Sequence, residues 1–421
     1  MGQTFAQKAL ARKAGLDETA PGQIVTVKPD RLLTHDNTAA IVGHFGKIGV
    51  QRVADPNVSV IVLDHVAPAA SEKHARNHQT ARAFAQEQGI AAFYDVGEGI
   101  CHQVLPEKGH AWPGALIVGS DSHTTTHGAF GAFAAGIGRT EAAAVMATGE
   151  IWLRVPETFR ILVSGQWPPG VSAKDLILHV IGDLGADGAN YRSVEFAGEA
   201  IDALSMAGRM VLCNMAAEMG AKNGVVLPDD VTRSWLRGRV TAKYEEIHPD
   251  PDAPYERVIE YDVSQVEPMV ARPHTVDNVA PVSELAGTHI DQALVGTCTN
   301  GRLEDLEAAA NVLQGRRVAD GVRLLVLPAS REVLLAALKR GLIADLVAAG
   351  ATLLNPGCGP CLGAHQGAMA PGEVTISTAN RNFKGRMGCK EAFIYLASPA
   401  TVAASALRGV IVDPRKVLPS K

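Results

Sequence analysis

Short runs of nearly continuous apolar residues alternate with helical patterns along the chain. Four of these runs are V-S-V-I-V-L-D (58–64), A-L-I-V-G-S-D (115–121), Q-A-L-V-G-T-C (292–298) and R-L-L-V-L-P-A-S (323–330). Apolar runs of this length are typical of parallel strands that are buried on both faces. The pattern therefore predicts an α/β protein with mostly parallel sheets.

The segments between the runs show helical periodicity, and they predict several strand–helix units. They are S-E-K-H-A-R-N-H-Q-T-A-R-A-F-A-Q-E-Q (71–88), T-E-A-A-A-V-M-A-T-G (140–149), L-E-D-L-E-A-A-A-N-V-L (303–313) and R-E-V-L-L-A-A-L-K-R-G-L-I-A-D-L-V-A-A-G (331–350). A new strand pattern after Pro156 and a proline-rich stretch over 249–281 suggest boundaries. We predict three α/β domains over 1–157, 158–285 and 286–421, the third carrying the candidate ligand cysteines.

Polar residues follow the apolar runs, where open α/β sheets place their ligands. Asp64 and His65 follow the first run and suit acid–base chemistry, because a carboxylate orients a neighbouring imidazole; a surface pair is an equal alternative. After the second run come Asp121, Ser122 and His123. Three consecutive threonines and nearby glycines argue against an α-helix here, so we expect a loop that presents these three side chains.

Three cysteines stand in special contexts: Cys298 in G-T-C-T-N-G, and Cys358 with Cys361 in N-P-G-C-G-P-C-L-G. Three thiolates suit a 4Fe-4S cluster whose remaining iron binds substrate as a Lewis acid. Taken alone, the C-x-x-C pair also fits a dithiol redox site, and the three thiols with a histidine fit zinc. The other cysteines are Cys101, Cys213 and Cys389. We expect each of them to pack as an ordinary small apolar side chain.

Further candidates stand outside these runs. His102 has apolar neighbours and by itself is typical of a core histidine. Asn214 and Glu218 have the spacing of one helical face, and a buried glutamate needs a partner or a function. The segment Asn380–Arg386 carries three positive charges and two amides, which suit a polycarboxylate, although phosphate or nucleic acid also fits.

Composition excludes several classes of protein. The 421 residues are 47% hydrophobic and 20% charged, and no run of eighteen uncharged apolar residues occurs, so we expect no membrane insertion. The net charge is −5 and no basic cluster dominates, so we expect no nucleic-acid partner. Six cysteines are too few for a disulfide framework in a chain of this length, which favours a reducing cytoplasm.

Seven ordered segments together resemble the aconitase superfamily, and within it the large subunits of isopropylmalate isomerases. They are V-I-V-L-D-H, G-I-C-H-Q-V, P-G-A-L-I-V-G-S-D-S-H-T, C-N-M-A-A-E-M-G-A, V-G-T-C-T-N-G-R-L-E-D-L, N-P-G-C-G-P-C-L-G and S-T-A-N-R-N-F-K-G-R-M-G. The resemblance runs over nearly the whole chain. It implies three aconitase-like domains with a cluster site at their interface.

The resemblance also implies residue roles. Cys298, Cys358 and Cys361 would hold one 4Fe-4S cluster, whose open iron coordinates a hydroxyl and a carboxylate of the substrate. Around it the resemblance implies three pairs, Asp64 with His65, Asp121 with His123, and Glu218 with His102, with His65 protonating the departing hydroxide. The residues implied to orient the cluster or the substrate carboxylates are Ser122, Asn214, Asn380, Arg381 and Arg386.

The implied activity is a hydro-lyase reaction in leucine biosynthesis. It interconverts 2-isopropylmalate and 3-isopropylmalate, both hydroxy-dicarboxylates, by dehydration to 2-isopropylmaleate and rehydration. Homoaconitase of lysine biosynthesis and dimethylmalate dehydratase are alternatives with the same architecture. An iron-responsive RNA-binding protein is a non-enzymatic alternative, against which the lack of a basic patch counts. The fourth, swivelling domain of single-chain aconitases, with its catalytic serine, is expected on a separate small subunit.

Overall fold

The computed structural model describes residues 2–418. Its first part holds a five-stranded parallel sheet and an antiparallel two-stranded ribbon. The strands are β1 (Ile24–Val27), β2 (Arg31–Thr34), β3 (Ser59–Val62), β4 (Phe93–Tyr94), β5 (Leu116–Gly119), β6 (Phe133–Gly136) and β7 (Ile151–Arg154). The sheet order is β4-β3-β2-β5-β6, and β1 pairs with β7.

Five α-helices and one 3₁₀ helix accompany these strands. They are α1 (Phe5–Ala14), α2 (Thr38–Ile48), α3 (Glu72–Gln88), α4 (Cys101–Glu107), α5 (Arg139–Thr148) and the 3₁₀ helix Ser122–Phe130. The 3₁₀ helix corrects our expectation of a loop at this position. Its threonines do not oppose it, because the hydroxyl groups of Thr124 and Thr126 donate to the carbonyl oxygens of Asp121 (2.7 Å) and His123 (2.6 Å).

The second part of the chain forms a four-stranded parallel sheet in the order β10-β9-β8-β11. Its elements are β8 (Thr158–Ser164), α6 (Ala173–Leu184), β9 (Ser193–Ala197), α7 (Glu199–Asp202), α8 (Met206–Met215), β10 (Asn223–Val226), α9 (Asp230–Leu236) and β11 (Arg257–Asp262). Helix α8 ends at Met215 and a 3₁₀ helix, Ala216–Met219, follows. The predicted single helical face for Asn214 and Glu218 is therefore wrong, because the helix changes its pitch between them.

The third part forms a seven-stranded mixed sheet in the order β13-β12-β18-β17-β14-β15-β16. Its strands are β12 (Met269–Ala271), β13 (Val279–Pro281), β14 (Gln292–Gly296), β15 (Arg323–Leu327), β16 (Thr352–Leu353), β17 (Val374–Ser377) and β18 (Phe393–Leu396). Its helices are α10 (Thr297–Asn300), α11 (Leu303–Leu313), α12 (Arg331–Lys339), α13 (Leu342–Ala348) and α14 (Pro399–Arg408). Strands β14 to β18 run parallel, whereas β12 and β13 are antiparallel.

Two details of this third part differ from the sequence pattern. Residues 331–350 form two helices, because Gly341 adopts a left-handed conformation (φ 74°) between them. Residues 269–281 hydrogen-bond within the third sheet, whereas the predicted division places them in the second domain. The division into three domains stays a prediction.

The predicted α/β fold with mostly parallel sheets is confirmed, and its first and third sheets direct their carboxyl ends toward one region. Asp64 lies just beyond β3, Asp121 just beyond β5 and Cys298 just beyond β14. One apolar cluster, which includes Leu33, Ile161 and Leu294, joins the three parts beneath this region. Within residues 2–418, every helix is too short or too polar to cross a membrane.

Candidate active site

A cavity of about 310 Å³ lies where the three parts of the chain meet. Residues from the first and third parts line it, and they include the three cysteines, three arginines and four histidines. The lining residues are His35, Asn37, His65, Ile100, His102, Ser120, Asp121, Ser122, His123, Arg139, Cys298, Cys358, Cys361, Leu362, Asn380, Arg381 and Arg386. The other predicted site residues, Asp64, Asn214 and Glu218, lie behind this lining and contact it.

Glycines bring the cysteine-bearing segments close to their neighbours. Gly296 (φ 149°) precedes α10, and a Cβ atom there would lie 2.3 Å from the carbonyl oxygen of Leu327. Gly357 is equally constrained, since its Cβ atom would lie 2.6 Å from the carbonyl oxygen of Asp64. The next residue, Cys358, donates its backbone N–H to that same oxygen at 2.9 Å. The third part of the chain thus contacts the Asp64 segment directly.

Polar side chains donate hydrogen bonds to two of the sulfur atoms. The amides of Asn214 and Asn380 donate to Sγ of Cys298 at 3.3 Å and 3.4 Å, and the Arg386 guanidinium donates to Sγ of Cys361 at 3.3 Å. Burial raises the pKa of Cys298 to about 12. A hydrogen bond from Cys358, together with the charge of Arg386, lowers the pKa of Cys361. Three buried thiols, two of which accept hydrogen bonds on their sulfur atoms, fit a metal cluster, which keeps such ligands deprotonated.

His65 lies between two carboxylates. Its Nδ1 donates to Oδ1 of Asp64 at 2.6 Å, and its Nε2 lies 3.4 Å from Oδ2 of Asp121. Burial alone would lower the pKa of His65, but Asp64 and Asp121 outweigh burial and hold this pKa well above its ordinary value. The ring of His35 stacks on His65 at 3.8 Å, and burial lowers the pKa of His35 to about 4. The arrangement therefore favours a protonated His65 beside a neutral His35.

The remaining histidines and carboxylates form a second network. Asp121 accepts a hydrogen bond from Nε2 of His102 at 2.8 Å, and Glu218 accepts one from Nε2 of His123 at 2.7 Å. The implied pair of Glu218 with His102 is therefore wrong. Asp121 also accepts the backbone N–H of His123 at 2.8 Å. This hydrogen bond holds the Asp121 carboxylate beside the rings of His102 and His123. Burial raises the pKa of Asp121, but its bonds to His102, His123 and His65 outweigh burial and lower it.

Two of the lining arginines keep donors for a ligand. Within residues 2–418, Arg381 donates only from Nε, to both carboxylate oxygens of Glu218 at 2.9 Å and 3.0 Å. Nε of Arg386 is buried, and it has no hydrogen-bond partner among residues 2–418. Guanidinium groups match the geometry of carboxylates, so this side of the cavity suits an anionic ligand.

Sequence reasoning missed several residues of the site. Asp36 accepts the backbone N–H groups of Asp64 (2.9 Å), His65 (2.7 Å) and Val66 (3.1 Å), and it also pairs with His78 at 2.8 Å. The signal was weak, because the preceding strand β2 reads R-L-L-T and so carries only two apolar residues. Arg139, at the start of α5, also lines the cavity. The residues around Arg139 in the sequence form no motif that indicates binding or catalysis.

His35, Asp36, Asp64 and His65 lie close enough together to suggest a second cation site. Their hydrogen bonds argue against it. The oxygens of Asp36 accept three backbone N–H groups and His78, while those of Asp64 accept His65 and the backbone N–H of Cys101. Carboxylates used in this way orient His65 rather than bind an ion.

Comparisons with known proteins agree with this geometry. The model of the aconitase family (aconitate hydratase) matches residues 7–409. The 3-isopropylmalate dehydratase large subunit 1 of Methanopyrus kandleri is 54% identical over 419 residues, covering 99% of this chain and 100% of that protein. The probable methanogen homoaconitase large subunit of Methanosarcina mazei is 57% identical over 389 residues, covering 92% of this chain and 99% of that protein.

A solved structure shares the fold. The crystal structure of Thermococcus kodakaraensis aconitase X (holo-form) superposes with a TM-score of 0.50 at 13% identity, covering 90% of this chain and 89% of that one. At this identity the likeness shows the fold alone. The family match, however, spans nearly the whole chain, so this protein belongs to the aconitase family and is a hydro-lyase.

Proposed function

We propose that this chain is the large subunit of an iron–sulfur hydro-lyase that interconverts 2-isopropylmalate and 3-isopropylmalate. The observation that carries the proposal is the convergence of Cys298, Cys358 and Cys361 on one cavity with His65 and Arg381. We infer that the three thiolates hold a 4Fe-4S cluster. When bound, it supplies a Lewis acid for the hydroxyl and carboxylate of the substrate.

His65 is the proposed acid that protonates the departing hydroxide. Hydroxide is a poor leaving group, so it needs a proton donor that is charged at neutral pH. Asp64, held by the N–H of Cys101 at 2.7 Å, orients Nδ1 of His65. Nε2 of His65 faces the cavity beside Asp121 and is the atom that donates the proton. On rehydration the same nitrogen takes the proton back.

The arginines are proposed to bind the substrate carboxylates. Removing a proton next to a carboxylate builds additional negative charge, which guanidinium donors stabilise. The terminal nitrogens of Arg381 make no hydrogen bond within residues 2–418, and Glu218 orients the group through Nε. Ser122 and Asn380 add polar atoms to the same lining.

The choice of substrate among malate analogues is also a proposal. Ile100 and Leu362 line the cavity and suit the isopropyl group, and relatives of this chain are named 3-isopropylmalate dehydratase. Homoaconitase activity is the second candidate. Two relatives carry that name, and Arg139 at the cavity could receive an additional carboxylate.

A partner chain is expected to complete the site. The relatives are named large subunits, which supports a small subunit that covers the cavity and brings the catalytic base. The described chain fits this view, because its cavity is lined by an aspartate, histidines, thiols and arginines but reaches solvent on one side, where Arg381 is 27% exposed. Six free cysteines suit a reducing compartment, and we propose the cytoplasm.

The test combines the anaerobically reconstituted chain with candidate small subunits. The absorbance of the alkene intermediate is followed with 2-isopropylmalate, 3-isopropylmalate, dimethylmalate and homocitrate. We expect turnover of the isopropylmalates only in the presence of a small subunit, with about four iron and four sulfide per chain. Exclusive turnover of homocitrate would replace the proposed substrate.

Cys361→Ser provides the matched control for the cluster. The variant should fold but lose iron and sulfide, whereas Cys389→Ser, at a half-buried cysteine outside the cavity, should keep both. Loading of one zinc ion in place of iron, or unchanged iron in Cys361→Ser, would contradict the proposed ligands.

A further inference from the structure

Lys174, in α6 of the second part of the chain, is a buried cation that the proposed chemistry does not use. Its side chain has no exposed surface. Nζ donates to two consecutive backbone carbonyl oxygens, those of Thr378 at 2.8 Å and Ala379 at 2.7 Å. A lysine is almost never buried to this degree without an anionic partner.

Among the residues that the structure describes, the expected counter-ion of Lys174 is missing. No carboxylate of residues 2–418 makes a salt bridge or hydrogen bond with it. The neighbouring Asp175 faces another way: its carboxylate accepts the backbone N–H groups of Ser172 at 2.8 Å and Met269 at 2.9 Å. Two carbonyl dipoles thus solvate the ammonium group, but they carry no net charge that would balance it.

Two of the cysteines are the groups whose charge would act most strongly on Lys174. Burial lowers the pKa of Lys174 to about 7, and Cys298 and Cys361 are the two groups that most oppose this effect. A 4Fe-4S core with three thiolates carries net negative charge. A cluster at this position would therefore supply the counter-ion that the polypeptide does not.

Lys174 also lies behind the two segments that contact the sulfur atoms. Thr378 exchanges hydrogen bonds with Gly296, two residues before Cys298, at 2.9 Å and 3.0 Å. Ala379 precedes Asn380, whose amide donates to Sγ of Cys298. A single ammonium group thus stabilises the ends of β14 and β17 together.

From these contacts we propose that Lys174 is the buried counter-ion of the cluster and the positioning residue for the Cys298 and Asn380 segments. This inference rests on the proposed function, because it requires the cluster at the three cysteines. The positive charge of Lys174 favours addition of an electron to the cluster. It also stabilises the anionic sulfide and thiolate groups of the cluster against loss. A role in hydrogen bonding alone would not change the reduction potential in this way.

The test separates charge from hydrogen bonding at Lys174 in the complete enzyme. Lys174→Met removes both, Lys174→Gln removes the charge and keeps an amide donor, and Lys174→Arg keeps the charge. Iron release to a chelator and the midpoint potential of the reconstituted cluster are measured for each. We expect both neutral variants to shift the potential to more negative values and to lose iron about 10- to 100-fold faster, and Lys174→Arg to stay near the wild type.

Lys222→Met is the matched control, since Lys222 also donates to a backbone carbonyl, that of Gly136 at 2.9 Å, and it does not line the cysteine cavity. The midpoint potential of the cluster in Lys222→Met should equal that of the wild type. Far-ultraviolet circular dichroism of the apo chains checks folding, and Lys174→Gln replaces Lys174→Met if the latter does not fold.

Two results would overturn the inference. A wild-type potential and iron-release rate in Lys174→Gln would show that hydrogen bonding, not charge, is what Lys174 supplies. A wild-type chain that takes up no iron–sulfur cluster would instead contradict the proposed function itself, and the counter-ion role with it.

Discussion

Two arginine–carboxylate pairs near helix α8 show how this chain uses the same chemistry in two ways. Arg209, within α8, pairs with Asp229 through both terminal nitrogens at 2.7 Å and 2.6 Å, and its Nε donates to the carbonyl oxygen of Leu204. Glu218, just beyond α8, pairs with Arg381 only through Nε. Arg209 has no exposed side-chain surface, whereas Arg381 is 27% exposed.

Residue type alone therefore does not distinguish an ion pair that satisfies its donors within the fold from one that leaves donors beside the cavity. In a structural pair, the donors of the arginine are all hydrogen-bonded within the protein, because a buried donor without a partner lowers the stability of the fold. The Glu218–Arg381 pair leaves the terminal nitrogens of its guanidinium beside the cavity. The number of donors left over is therefore the better guide to function.

The largest effect on activity is expected at Asp64, the carboxylate that orients His65. Asp64→Asn should lower kcat of the complete enzyme about 10²- to 10⁴-fold, because it removes the charge that keeps His65 protonated. A raised pKa keeps His65 protonated to higher pH, and activity is lost as pH rises through that pKa. The alkaline limb of the pH–kcat profile should therefore move to lower pH in the variant. Asp229→Asn should leave this limb in place; an unmoved limb in Asp64→Asn would argue against His65 as the acid.

Arg381→Lys should produce the next largest effect. The substitution keeps the positive charge but loses the paired donors, so kcat/KM should fall about 100-fold while the melting temperature changes little. Arg209→Lys is the matched change in the structural pair, and per folded molecule it should leave kcat/KM unchanged. Equal losses of kcat/KM in the two variants would remove the distinction between the pairs.

Arg209→Met should act on stability instead. Removing the guanidinium leaves Asp229 and two backbone carbonyls without their donor, and we expect a loss of about 3 kcal/mol in the free energy of unfolding. Urea unfolding of the apo chain measures it. The double variant Arg209→Met/Asp229→Asn should recover part of the loss, because asparagine removes the unpaired charge and can still cap α9. A single variant as stable as the wild type would show that the pair does not support the fold.

The smallest effect is expected for a pair with ideal geometry in solvent. Arg82 and Asp95 form two parallel hydrogen bonds of 2.7 Å, as close as those of Arg209, but both side chains are 46% exposed. Arg82→Ala should therefore cost at most about 1 kcal/mol, and less at high salt. Thermal unfolding at two salt concentrations tests this, and a larger cost would show that geometry outweighs burial.

Much of the fold could be predicted because its signals are local. The apolar runs that include Leu63 and Leu294 placed strands β3 and β14 within two residues of their observed bounds. The break at Gly341 and the 3₁₀ helix after Asp121 were not predicted, since each depends on a backbone conformation that hydrophobic periodicity does not encode.

The sequence indicated which residues are candidates for the site better than it indicated which of them contact each other. Asp64, Asp121 and their neighbouring histidines stood out as polar residues after strands, whereas Glu218 had no such position. The pairing implied for Glu218 was wrong, since it contacts His123. Asp36 was missed, although it holds the segment of His65 through three backbone bonds. Contacts between residues far apart in the chain depend on how sheets and helices pack, and neither case has a signal in a short sequence window.

By itself, the sequence determined the alternation of strands and helices, the three special cysteines and the resemblance to one family. These follow from spacing, composition and motif order, which are properties of the chain before it folds. Only the tertiary structure decided that His102 pairs with Asp121. It also decided that, within residues 2–418, Arg381 keeps free donors and Lys174 is buried without a carboxylate partner. The physical reason is that desolvation and charge pairing act between neighbours in space, and packing alone creates those neighbours.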